Sequence, residues 1–188
     1  MTTNNEQILI DAIKNGDTKA YATLVDRYKD LVFTLALRML KHREEAEEVA
    51  QDTFVKVFRS LNRFKGDSKF STWIYKVTYN TCLDRIKKNK KHQSDVAIDD
   101  YTFNKLDTID NALENLITKE KNTLIRQCID KLPEDSSALL TLFYFEELSL
   151  EEISKIINVE ANTVKVKLYR ARKKLAVILE QYFQPKTV

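Results

Sequence analysis

The residues best equipped for chemistry lie in two blocks, and both read as surfaces for nucleic acid. In the first, Arg63, Phe64, Lys65, Ser68, Lys69 and Phe70 precede a stripe of Trp73, Lys76, Asn80 and Lys87 at helical spacing. Aromatic faces can stack on unpaired bases, lysines can meet phosphates and an amide can bond a base edge. A single strand requires that combination. A plainer reading, with Phe70 and Trp73 in a core and the lysines on a solvated face, accounts for the composition equally well.

The second block runs from Leu148 to Leu175. Ser149 with Glu152 three residues on forms a capping box, and Leu148 and Ile153 are placed for a hydrophobic staple. Asn158 falls at the turn, where a left-handed residue is often needed. Beyond it Val164, Leu168, Ala171, Leu175 and Ile178 make one apolar stripe. The other side carries Asn162, Lys165, Val166, Tyr169, Arg170 and Lys173. Between Ala161 and Leu175 stand six basic side chains (Lys165, Lys167, Arg170, Arg172, Lys173 and Lys174) and no acidic one. The pattern is a helix-turn-helix whose second helix can enter a major groove.

Reaction chemistry is poorly provided for. His42 and His92 sit in expected helix breaks with no Ser, Cys or carboxylate constellation, and no glycine-rich phosphate loop or zinc spacing occurs. Glu44, Glu48 and Asp52 share a helical face, but no histidine joins them, and a first helical turn favours carboxylates anyway. An acidic face for a partner is the better reading of that run. No catalytic residue, metal or cofactor is therefore expected. Cys82 and Cys128, far apart and among apolar neighbours, read as buried free thiols.

An all-α fold must position these blocks. The 188 residues contain only two Gly and two Pro, too little turn chemistry for sheets. A short helix spans Ile8 to Ile13 and ends at Gly16. Asp17 caps a long second helix through Met39, with a break at Lys41–Arg43. A third runs from about Glu44 to Leu61, and after a loop around Gly66 a fourth, capped by Ser71 or Thr72, reaches about Lys88. Residues 93–112 are acidic and aperiodic, a flexible linker. Helical periodicity returns near Leu113 and passes through Leu116, Leu124 and Ile129 to a break at Pro133.

Charge is segregated in the same way: net +6 over residues 1–92, −4 over 93–121 and +1 over 122–188. Two small helical domains, 1–92 and 113–188, are expected on either side of an anionic tether that keeps them apart. Met1 to Gln7 lacks the apolar core of a signal peptide, and no apolar run reaches membrane-spanning length. A cytoplasmic protein without membrane insertion is expected.

Three stretches in order resemble bacterial RNA polymerase sigma factors of the extracytoplasmic-function group of the sigma-70 family. They are Glu44 through Phe54; Arg63 through Tyr75, running on to Asn80, Asp84 and Arg85; and Leu148 through Ile153 with Thr163 to Arg172. The resemblance implies an alternative sigma factor, with core RNA polymerase and promoter DNA as partners and control by an anti-sigma factor. It assigns Glu48, Gln51, Asp52 and Phe54 to docking on polymerase. It assigns Phe64, Lys65, Ser68, Trp73, Lys76 and Asn80 to the melted −10 strand. Asn162, Lys165, Val166, Tyr169, Arg170 and Lys173 would read the −35 duplex, with the acidic linker threading the polymerase channel.

Some positions depart from the family's habits. Ile157-Asn158 replaces a common Leu-Gly, Glu160 a capping Ser, Asn162 a Gly, and Val166-Lys167 a Ser-Arg pair. They lie on or beside the DNA face, so the family's average promoter preference does not transfer. A free-standing helix-turn-helix regulator leaves the Phe64–Asn80 block without a role. A metal-dependent nuclease would rest on Glu44, Glu48 and Asp52 alone.

Overall fold

The computed structural model describes residues 4–92 and 119–183. The first stretch folds as α1 (Asn4–Lys14), α2 (Thr18–Leu40), α3 (Arg43–Ser60), a 3-10 turn (Leu61–Arg63) and α4 (Phe70–His92). The second folds as α5 (Lys119–Asp130), α6 (Glu134–Tyr144), α7 (Leu150–Ile157) and α8 (Ala161–Phe183). Among the described residues there is no strand. The expected linker and the periodicity at Leu113 and Leu116 lie outside the described residues.

Local chemistry sets the helix ends. Gly16 takes a φ of +94° after α1. The Asp17 carboxylate then accepts from the backbone N–H groups of Lys19 (2.9 Å) and Ala20 (3.1 Å), satisfying donors that have no partner inside α2. Lys41 ends α2 in the left-handed region, at φ 57°. That conformation costs a non-glycine residue roughly 1–2 kcal/mol. It is held by the Lys41 N–H bond to the Leu37 carbonyl (2.8 Å) and by the ammonium, which donates to the Leu132 carbonyl.

Two starts differ from expectation. The first helix begins four residues earlier, at Asn4, because Glu6 finds a buried partner in Tyr28. The fourth begins at Phe70, so Ser71 and Thr72 lie inside its first turn rather than capping it. Phe70 is fully buried between Tyr28 and Phe64, and that packing draws the chain into the helix before either hydroxyl is reached.

The helices bury two apolar clusters. One lies within α1–α4, where Ile10, Leu24, Val32, Val57, Phe70 and Ile74 meet. The other is shared. Leu35, Ala36 and Met39 of α2 and Tyr75, Tyr79 and Cys82 of α4 pack with Leu132, Leu139, Ile153 and Leu168 of the C-terminal helices. Polar contacts rim this junction. Arg38 pairs with Asp130, the Tyr75 hydroxyl donates to Glu146, and Lys69 meets Glu152 at 2.9 Å. The two expected helical domains are present, but they are not held apart: they pack on one another through this core. The lower half of α2 and the middle of α4 carry a second apolar stripe, and in water such a stripe must be covered.

Candidate nucleic-acid and polymerase interface

Helix α4 presents three faces. Phe70 and Ile74 point into the N-terminal core, and Tyr75, Tyr79 and Cys82 into the shared one. The third carries Trp73 and Lys76, half-buried, and Asn80 and Lys87, exposed. The stripe read from the sequence thus runs from Trp73, which packs against the edge of the N-terminal core, through half-buried Lys76 to exposed Asn80 and Lys87.

The loop before α4 turns at Gly66, with φ +80°. Lys65 is exposed and Ser68 half-buried. Phe64 is only 6% exposed. Its ring stands edge-on to Phe70 (5.0 Å between centroids) and tilted to Trp73 (5.4 Å); Phe70 and Trp73 are also 5.4 Å apart. Trp73 forms the open edge of this aromatic group, and Phe64 lies beneath it.

On α3, Glu48, Gln51 and Asp52 are exposed and Phe54 half-buried. Glu48 accepts from Arg85 of α4 at 2.8 Å, and Glu45 accepts from Asn89 at 3.0 Å, so α3 and α4 are tied along their length. The Phe54 carbonyl accepts from the Tyr21 hydroxyl at 2.5 Å; burial pushes that phenol up to about 12. Sequence reasoning missed Val55 and Phe58, which are 47% and 53% exposed beside this face. The available signal was that both fall off the inward stripe of Ala46, Val49, Thr53 and Val57.

The helix-turn-helix forms as its caps require. Ser149 Oγ accepts from the Glu152 N–H (3.2 Å), and the Glu152 carboxylate accepts from the Ser149 N–H (3.0 Å). Burial alone would raise the Glu152 carboxyl. The Ser149 N–H and the Lys69 ammonium outweigh it and hold the group below the ordinary glutamate range. Leu148 and Ile153 are both buried as a staple requires. Asn158 takes φ 56°, ψ 51° and ends α7. On α8, Val164, Leu168, Ala171 and Leu175 are buried. Asn162, Lys165, Val166, Tyr169 and Arg170 are exposed and Lys173 is half-buried, its ammonium 4.6 Å from the centre of the Tyr169 ring. Arg172 faces the other way, over the rings of Phe143 and Tyr144.

Among the described residues, no three His, Cys, Asp or Glu side chains converge as metal ligands, and no helix is long and apolar enough to cross a membrane. Cys82 and Cys128 are buried free thiols; desolvation pushes Cys82 up to about 12.

Comparison with known proteins agrees with this arrangement. Residues 24–92 match Sigma-70 region 2, and residues 122–175 match Sigma-70, region 4. The chain is 36% identical to the ECF RNA polymerase sigma factor SigW of Bacillus subtilis, over 88% of this chain and 92% of that protein. It is 32% identical to RNA polymerase sigma-H factor of Pseudomonas aeruginosa, over 96% of each. A similar fold occurs in the sigma factor RpoE of Bartonella quintana, solved in complex with the anti-sigma factor NepR. There the TM-score is 0.63 at 19% identity, covering 87% of this chain and 98% of that one.

Together these matches define a bacterial transcription-initiation protein, one that confers specificity and is not itself an enzyme. The chain belongs to the extracytoplasmic-function group of the sigma-70 family, whose members bind core RNA polymerase and promoter DNA.

Proposed function

We propose that residues 1–92 dock on core polymerase and capture the melted −10 strand, that 113–188 read the −35 duplex, and that 93–112 link them. Glu48, Gln51, Asp52 and Phe54 would meet polymerase, with Val55 and Phe58 extending that face. Trp73, Lys76 and Asn80, with Lys65 and Ser68 beside them, would hold the opened strand; stacking on Trp73 replaces the stacking a base loses when it leaves the duplex. Phe64 supports Trp73 from below instead of meeting bases itself. On α8, Arg170, Lys165 and Lys173 fix phosphates or base edges, Asn162 bonds a base edge, and Val166 and Tyr169 meet thymine methyls.

The observation that carries this reading is the partly exposed α4 stripe of Trp73, Lys76 and Asn80 beside its aromatic cluster. An anti-sigma partner and a cytoplasmic location complete the proposal, supported by relatives solved with anti-sigma factors. The test is transcription in vitro with core polymerase, followed by mapping of transcript starts. On a promoter so found, Trp73→Ala should reduce strand opening about tenfold, from a stacking loss of about 1–3 kcal/mol. Polymerase binding should stay within twofold of the parent. Equal loss of both would remove Trp73 from strand capture.

A further inference from the structure

The N-terminal helix lies outside the residues that match region 2, yet it makes one bond to the strand-facing loop and another to Tyr28 of α2, whose ring packs on Phe70. Near its start, Glu6 is 9% exposed and accepts from the hydroxyl of Tyr28, a residue only 7% exposed. Arg27 stands near the same hydroxyl. A buried hydroxyl is costly to leave without a partner, so this bond and the packing on Phe70 together orient the Tyr28 ring. That ring stands edge-on to Phe70 at 5.7 Å, and Phe70 adjoins both Phe64 and Trp73. At the other end of α1, Lys14 Nζ donates to the Phe64 carbonyl at 3.4 Å. That carbonyl lies where the 3-10 turn hands over to the Gly66 loop. Ile10 and Ile13 fill the core between the two bonds.

We propose that α1 is a positioning element for strand capture. Glu6, acting through Tyr28 and Phe70, and Lys14, acting through the Phe64 carbonyl, hold the aromatic platform in the geometry that presents Trp73 to an unpaired base. The inference rests on the assignment of Trp73 to the melted strand. Its physical content is preorganisation: a ring already held in place pays less ordering entropy when a base stacks on it. Neither Glu6 nor Lys14 touches nucleic acid in this account.

The experiment uses the full-length chain assembled with core polymerase. The probe is a labelled single-stranded oligonucleotide carrying the non-template −10 sequence of a promoter mapped from the chain's own transcript starts. Lys14→Ala, at an exposed position, and Tyr28→Phe, which keeps the ring against Phe70, should each weaken this binding about three- to tenfold, the worth of one hydrogen bond. Lys14→Arg should restore it. Core binding and upstream duplex binding should stay within twofold, with both variants folded by circular dichroism. Trp73→Ala serves as reference. If it weakens strand binding while Lys14→Ala and Tyr28→Phe do not, the positioning role is overturned and strand capture stands. If Trp73→Ala has no effect, strand capture fails and the role of α1 falls with it. An equal loss of core and duplex binding in the α1 variants would reduce the helix to general stability and overturn the proposal.

Discussion

Tyr169 and Val166 keep about half their surface in water (48% and 49%), although α8 has a buried stripe one face away. Around them the basic residues divide. Arg170 and Lys165 point outward with them, whereas Arg172 lies over Phe143 and Tyr144 and joins α8 to α6. The count of six cations in the sequence treats these residues alike; burial separates them. Arg170→Ala should therefore lose upstream promoter protection in a footprint while leaving the melting temperature nearly unchanged. Arg172→Ala should do the reverse, with a stability loss of about 1 kcal/mol from its ring contacts and an intact footprint once folded. A footprint lost in Arg172→Ala at a temperature where the protein is folded would contradict this division.

At the scale of elements, Glu152 links the cap of α7 to the loop before α4, because the same carboxylate accepts from the Ser149 N–H and meets Lys69. Its folded pKa is depressed, so its contribution to stability is present above the unfolded value and disappears as pH falls through the folded one. Thermal unfolding of Glu152→Gln and the parent should differ most near neutral pH and converge in acid; a constant gap would remove ionisation from the effect. The caps at Asp17, Ser149 and Asn158 were legible in the sequence because each is decided within four residues. The start of α4 was not. It depends on Tyr28 and Phe64 enclosing Phe70, and no local signal reports that. The burial of Phe64 escaped for the same reason. That Trp73, Lys76 and Asn80 share one stripe followed from helical spacing, whereas the half-burial of Trp73 against the core and the separation of the stripe from Tyr75 and Tyr79 required the partner helices.

In the whole molecule, the shared core makes the two groups of helices a single packing unit. Leu132 is fully buried there, and its carbonyl receives the Lys41 ammonium. Leu132→Ala should cost about 2–5 kcal/mol and lower the melting of both halves together. Calorimetry should show one transition for the parent; two well-separated transitions would mean that the halves are energetically independent. The reading faces impose a different demand. A compact chain of this length has a radius of gyration of about 16 Å, whereas elements centred near −35 and −10 lie roughly 80 Å apart along duplex DNA. On the proposed assignment of α4 to the −10 strand and α8 to the −35 duplex, simultaneous reading requires the junction to part. Cys82, sealed within that junction and held as a thiol, then becomes a stopwatch. In a Cys128→Ser background, a maleimide dye should label the free protein slowly and the promoter-bound holoenzyme fast, so each labelled molecule records one parting of the halves.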